Sequence, residues 1–190
     1  MKMKSLAALA FAAGLIGSPC FSHAQTLAGD TPAVVMLTKS LDGKKLATGA
    51  IVQTKLTDTI HLADGTKIPG GSLLNATVTK DDTQNGGVKL TLRFSEAKLK
   101  DGKSVAIKGI ILDVSRQPAD PSGLQHGMTA PANFDHQSAI VDAVGVLEGV
   151  DLHSNVSNDD SGVLVTTTGS DVKLPTGTEI ELAIAPASAK

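Results

Sequence analysis

Apolar residues fall on alternate positions in two clear stretches. Val88, Leu90, Leu92 and Phe94 alternate with Lys89, Thr91 and Arg93, and Ile180, Leu182 and Ile184 alternate with Glu181 and Ala183. A period of two sends one face of an extended ribbon into a core and the other into water, which predicts β-strands. Further runs rich in Val, Ile and Thr occupy 34–38, 50–54, 73–79, 105–114, 150–156 and 163–168. These residue types suit a pleated, half-buried surface. About eight short strands follow, so the sequence predicts an all-β protein: a single small barrel or sandwich.

Turn chemistry punctuates these runs. Asp42-Gly43, Asp64-Gly65 and Asp101-Gly102 each precede an apolar residue, and Asn85-Gly86-Gly87 separates two alternating stretches. Glycine accepts positive φ without penalty, so Asp-Gly and Asn-Gly favour tight hairpin connections. Pro175-Thr176-Gly177-Thr178 reads as a turn feeding the last strand.

Residues 116–148 interrupt the pattern as one long loop and short-helix insert. Pro118, Pro121, Pro131, Gly123 and Gly127 fall where branched apolar residues are few. A connection of that length without strand signal is functional or disordered. Within it, Ile140, Val141, Val144 and Leu147 recur at spacings near three and four, which predicts a short helix over 139–148, interrupted by Gly145.

The N-terminus changes the composition. Lys2 and Lys4 precede an apolar run over 6–17, and Ser22-His23-Ala24 offers small residues where a signal peptidase reads. Residues 1–24 therefore read as a secretory signal peptide, and 25–190 as a single β domain carrying the insert. The apolar run is too short for a membrane span, so no transmembrane segment is expected in the mature chain. Removing Lys2 and Lys4 from 17 basic residues leaves 15 against 19 acidic ones. That balance disfavours nucleic acid as a partner. The single cysteine, Cys20, departs with the signal, leaving no disulfide or thiolate site. Mature aromatics are only Phe94 and Phe134, so base-stacking and sugar-stacking platforms have no material.

A resemblance enters at 62–79, where Ile68-Pro69-Gly70-Gly71-Ser72 leads into Leu74 and Val78. This resembles an element of uncharacterised secreted bacterial β-domain proteins, and it is distantly similar to the C-terminal β-barrel domain of TrbI-like type IV secretion proteins. The strand ending at Phe94, the Asp101-Gly102 turn and the stretch from Val172 to Leu182 occupy the matching places. The chain differs from the secretion proteins in having no transmembrane helix, Pro-rich stalk or evident helical antenna. The resemblance implies a fold and an envelope location, and it supplies no catalytic residue.

Candidate chemistry is sparse. His126 and His136 lie in the insert, with Asp135 beside the second and Met128 near the first. Imidazole, carboxylate and thioether together suit zinc or copper, so His126, Asp135 and His136 are the metal candidates. Solvated loop histidines are the plainer reading, because the spacing matches no established ligand pattern. His126, Met128, Phe134 and His136 are also the candidates for contact with a partner. Asn155, Asn158, Asp159 and Asp160 resemble a calcium loop in composition but lack its spacing, and read as a hairpin loop. No Gly-x-Ser-x-Gly elbow occurs, and no carboxylate pair is singled out.

These observations favour an exported, periplasmic or extracellular, non-enzymatic β module with a structural or macromolecule-binding role in the cell envelope. Its partner would be an envelope protein or polymer, and no cofactor is expected. Two other readings stand beside it: a secreted hydrolase of polysaccharide or peptide, and a small-ligand or metal carrier using the insert.

Overall fold

An alternating run can hide its apolar residues only by becoming one wall of a sheet, and eight such runs do so. The computed structural model describes residues 30–84, 87–116, 140–155, 160–166 and 171–187. The strands are β1 Thr31–Leu37, β2 Leu41–Asp42, β3 Ile51–Leu56, β4 Ile60–His61, β5 Lys67–Ile68, β6 Leu73–Gln84 and β7 Gly87–Lys98. They continue as β8 Ser104–Ser115, β9 Ile140–Leu147, β10 Val150–Asn155, β11 Gly162–Thr166, β12 Lys173–Leu174 and β13 Glu179–Pro186. All the strand runs expected from the sequence are present.

Six strands close into an antiparallel barrel in the order β6, β3, β1, β13, β8, β7, with β7 returning to pair with β6. Of the two architectures the sequence allowed, the protein is the barrel. The β6–β7 hairpin pairs Gln84 with Gly87 at its turn, as Asn85-Gly86-Gly87 predicts. Its register shifts leave Thr79 and Ser95 as extra residues, and Leu112 is extra where β8 pairs with β13. Such bulges bend strands and increase twist, which a small closed sheet needs.

The barrel wall then forks. β7 pairs with β8 only from Glu96 to Lys98. Its N-terminal half pairs instead with β11, and β10 and β9 extend the sheet outward from there. Ser161 holds the fork together. Its N–H donates to the Leu92 carbonyl at 2.7 Å, and its own carbonyl accepts from the Ile111 N–H at 2.9 Å. Its hydroxyl accepts from the Phe94 N–H at 2.6 Å. Ser154 adds a hydroxyl donated to the Ile111 carbonyl at 2.6 Å. The large majority of buried polar groups in folded proteins are bonded in this way.

The inward positions form one apolar core. Leu37, Leu56, Ile68, Leu74, Leu90, Leu92, Phe94 and Ile111 are among its fully buried members. Leu152 and Leu164 carry the same core beneath the three added strands. Each such side chain contributes roughly 1.5–3 kcal/mol by leaving water. A second, smaller cluster joins Ile110, Ala183 and Ala185, with Leu112 against it.

Two local expectations need correction. Residues 140–147 are strand β9, not a helix, so the insert does not extend to 148 as one irregular unit. Val141 and Leu147 are buried and Ala143 half-buried, while Val144 and Gly145 are exposed. Inward positions two residues apart are followed by an irregular register with β10, and the resulting four-residue step imitates helical spacing. Gly145 adopts φ +68° and donates its N–H to Asp151 Oδ1 at 2.8 Å. The second correction concerns Asp42-Gly43, which starts a single 3-10 turn over Gly43–Lys45 rather than a hairpin. The other two Asp-Gly pairs do form tight turns, with Gly65 at φ +84° and Gly102 at φ +86°.

Candidate functional site

The short β2–β12 ribbon shapes one surface of the molecule. Its register pairs Asp42 with Lys173 and Leu41 with Leu174. Alternation buries Leu41, Val172 and Leu174 in the core and leaves Lys173 exposed. The 3-10 turn after Asp42 supplies Lys44 and Lys45, and Gly43 is tied to the Val172 carbonyl at 2.9 Å. Arg116 follows the last residue of β8. Ser40, Leu41, Asp42, Arg116, Lys173, Leu174 and Pro175 line an open cleft here of about 500 Å³.

Its charges fall into two groups. Lys44 Nζ lies 2.6 Å from Asp171 Oδ1, and Lys45 Nζ lies 3.1 Å from Asp42 Oδ2. Both carboxylates therefore have a cation. Asp171 Oδ1 meets its lysine at ion-pair distance without an aligned hydrogen bond, and Asp42 Oδ1 is buried without a hydrogen-bond partner. The hydrogen bond from Lys45 holds the Asp42 carboxyl below its usual range against the opposing effect of burial, and the charges of Lys45 and Lys173 assist. Arg116 and Lys173 are exposed and make no ion pair among the described residues. The cleft thus presents two exposed cations, of which Lys173 also acts on Asp42 across the ribbon.

Two further polar pairs lie elsewhere. His153 Nδ1 is 2.7 Å from Asp142 Oδ1, across β10 and β9, with both side chains exposed. Among the described residues no three His, Cys, Asp or Glu side chains gather as a metal site. Asp113 and Glu181 are cross-strand partners on β8 and β13. Burial pushes both carboxyls up, and the charge of Asp113 adds to the effect at Glu181.

The sequence candidates fare unevenly. His126, Met128, Phe134, Asp135 and His136 lie outside the described residues. His61 is exposed on β4, where its backbone carbonyl accepts the Thr31 hydroxyl at 2.9 Å. Of the acidic-amide group, Asp160 accepts the Thr79 hydroxyl at 2.7 Å, while Asn158 and Asp159 lie outside the described residues. The sequence marked Asp42 only as a turn residue and Lys173 only within the resemblance, and it did not mark Ser40. Arg116 carried one usable signal, as one of two arginines in the chain.

No protein-family model matches the chain, and a search of the curated proteins finds no match. Among the described residues, no helix is long and apolar enough to cross a membrane.

Proposed function

We propose that the protein is an exported, non-enzymatic β module that docks a macromolecular partner in the cell envelope through the cleft between β2, β12 and the end of β8. The observation that carries this reading is the pair of exposed cations, Arg116 and Lys173, on an open cleft, neither of them in an ion pair among the described residues. Arginine is enriched in protein-binding patches, and their rims are polar and solvent-accessible. The barrel beneath it is closed, and a closed sheet that holds side chains in place lowers the ordering penalty on binding. The signal-peptide pattern over 1–24 and the resemblance at 62–79 support the envelope location.

A photo-crosslinking residue placed at Ser40, on the cleft, tests the reading in the producing bacterium. The same residue at Lys67, exposed on β5, is the control. A discrete adduct from position 40 and none from position 67, on a mature chain beginning at Gln25, is expected. Equal adducts from both positions, or none from position 40, would overturn it.

A further inference from the structure

We infer that the cleft recognises an acidic peptide segment, taking one side-chain carboxylate on Arg116 and a second on Lys173. This rests on the docking reading above and names the chemistry of the partner. Four cationic side chains, Lys44, Lys45, Arg116 and Lys173, surround this end of the barrel against two carboxylates, Asp42 and Asp171. The whole chain carries a formal charge of −2, so this local excess opposes the sign of the molecule. The lysines from the 3-10 turn form ion pairs with the two aspartates, Lys173 adds its charge beside Asp42, and Arg116 is in no ion pair among the described residues.

Geometry and chemistry select the ligand. A guanidinium presents a planar fork of donors that matches a carboxylate with two parallel hydrogen bonds, whereas an ammonium acts as a point charge. Arg116 and Lys173 therefore suit two separate carboxylates better than one compact anion. Ser40 lines the same cleft, and the exposed Pro175 provides apolar surface for a methylene stem. Asp42 stays ionised inside the cleft, because Lys45 holds its carboxyl low. Its charge repels an anion seated deep in the cleft and keeps ligand carboxylates at the rim. A nucleic-acid backbone or an anionic membrane requires a wide basic surface, and two exposed cations on an acidic protein do not supply one.

The test uses the purified protein, labelled for amide NMR, and three probes: a Glu-rich hexapeptide, its Gln counterpart and inorganic phosphate. The acidic peptide should shift the amides of Ser40–Asp42 and Lys173–Leu174, and the effect should weaken as salt rises. The Gln peptide and phosphate should leave those amides in place. Replacing both cations, Arg116→Gln with Lys173→Gln, should weaken acidic-peptide binding by roughly tenfold or more, the scale of losing charge-assisted contacts. Both side chains are exposed, and an unchanged amide spectrum elsewhere shows that the variant is folded. Equal binding of the Gln peptide, undiminished binding by the double variant, or displacement of the peptide by millimolar phosphate would overturn the inference. If the acidic peptide fails while the crosslink at Ser40 persists, only the acidic assignment falls; if both fail, the docking reading falls too.

Discussion

Thr91 and Ser161 sit a few ångströms of backbone apart in the same wall, and their buried hydroxyls have opposite fates. Ser161 is 2% exposed and its hydroxyl accepts the Phe94 N–H at 2.6 Å. Thr91 is 1% exposed and its hydroxyl has no hydrogen-bond partner among the described residues. Deleting a bonded buried acceptor strands its donor, whereas deleting an unbonded hydroxyl removes a desolvation penalty. Ser161→Ala should therefore destabilise by about 1–3 kcal/mol in urea titration, while Thr91→Val, matched in shape, should be neutral or stabilising by up to about 1 kcal/mol. A stabilised Ser161→Ala together with a clearly destabilised Thr91→Val would contradict this account of the fork. The facing carboxyls of Asp113 and Glu181 give the residue scale a pH dependence. Both are raised in the folded protein, Asp113 by burial and Glu181 by burial and then by Asp113. The unfolded chain therefore releases these protons first, and stability falls as pH rises from the ordinary carboxyl range through the raised values. Glu181→Gln should gain on the order of 0.2–1 kcal/mol at pH 7, the scale of like charges opposed on a sheet, with solvent screening keeping it small. At pH 3 both states are protonated, and thermal melts of variant and parent should coincide in this respect.

At the scale of elements, strands with strict alternation were legible and the interrupted one was not. Leu90, Leu92 and Phe94 alternate without fault and become the interior of β7. In β9 the irregular register beside Gly145 breaks the alternation, and the sequence pattern then looks helical. The irregularity is accompanied by a side-chain contact from the next strand, Asp151 to the Gly145 N–H, which a hydrophobic pattern does not reveal. Two glycines on these added strands are required for different reasons. Gly145 has open space around it but φ +68°, so a branched residue there strains only the backbone. Gly162 shows no such φ, but a Cβ would stand 2.9 Å from Ile111 Cδ1, 3.1 Å from Ile111 Cβ and 2.9 Å from Ser154 Oγ. Gly145→Val should cost about 1–2 kcal/mol, and Gly145→Asn less, because asparagine tolerates the left-handed region. Gly162→Ala should cost about 1–3 kcal/mol by overpacking, although alanine is ordinarily the better strand residue. Chemical denaturation of the three variants checks both arguments, and a harmless Gly162→Ala would mean that β11 lies less tightly on Ile111.

For the whole molecule, the class was visible in the sequence, but closure and the cleft were not. Alternation says which residues point inward, yet it does not say that β1 lies between β3 and β13, or that β7 divides its edge between β8 and β11. Likewise the cleft gathers Ser40 to Asp42, Arg116 and Lys173 to Pro175 from separate parts of the chain, and the turn signals at Asp42 and Pro175 say nothing of their meeting. Closure also determines where the molecule is vulnerable. Leu92 is fully buried, its carbonyl accepts the Ser161 N–H, and its side chain belongs to the core that joins the barrel to the added strands. Leu92→Asp would lose a buried leucine, about 2–5 kcal/mol, and would place an unpaired carboxyl where it must either ionise without a partner or take up a proton. The combined loss approaches the 5–15 kcal/mol that holds a typical domain together, so this variant should not fold. Val144 is the opposite case, 79% exposed on β9. The same chemical change there, Val144→Asp, should stay within about 0.5 kcal/mol of the parent. Far-UV circular dichroism and urea titration of the two variants decide the matter: a folded Leu92→Asp beside an unfolded Val144→Asp would mean that the inward face of the barrel has been assigned to the wrong side of the sheet.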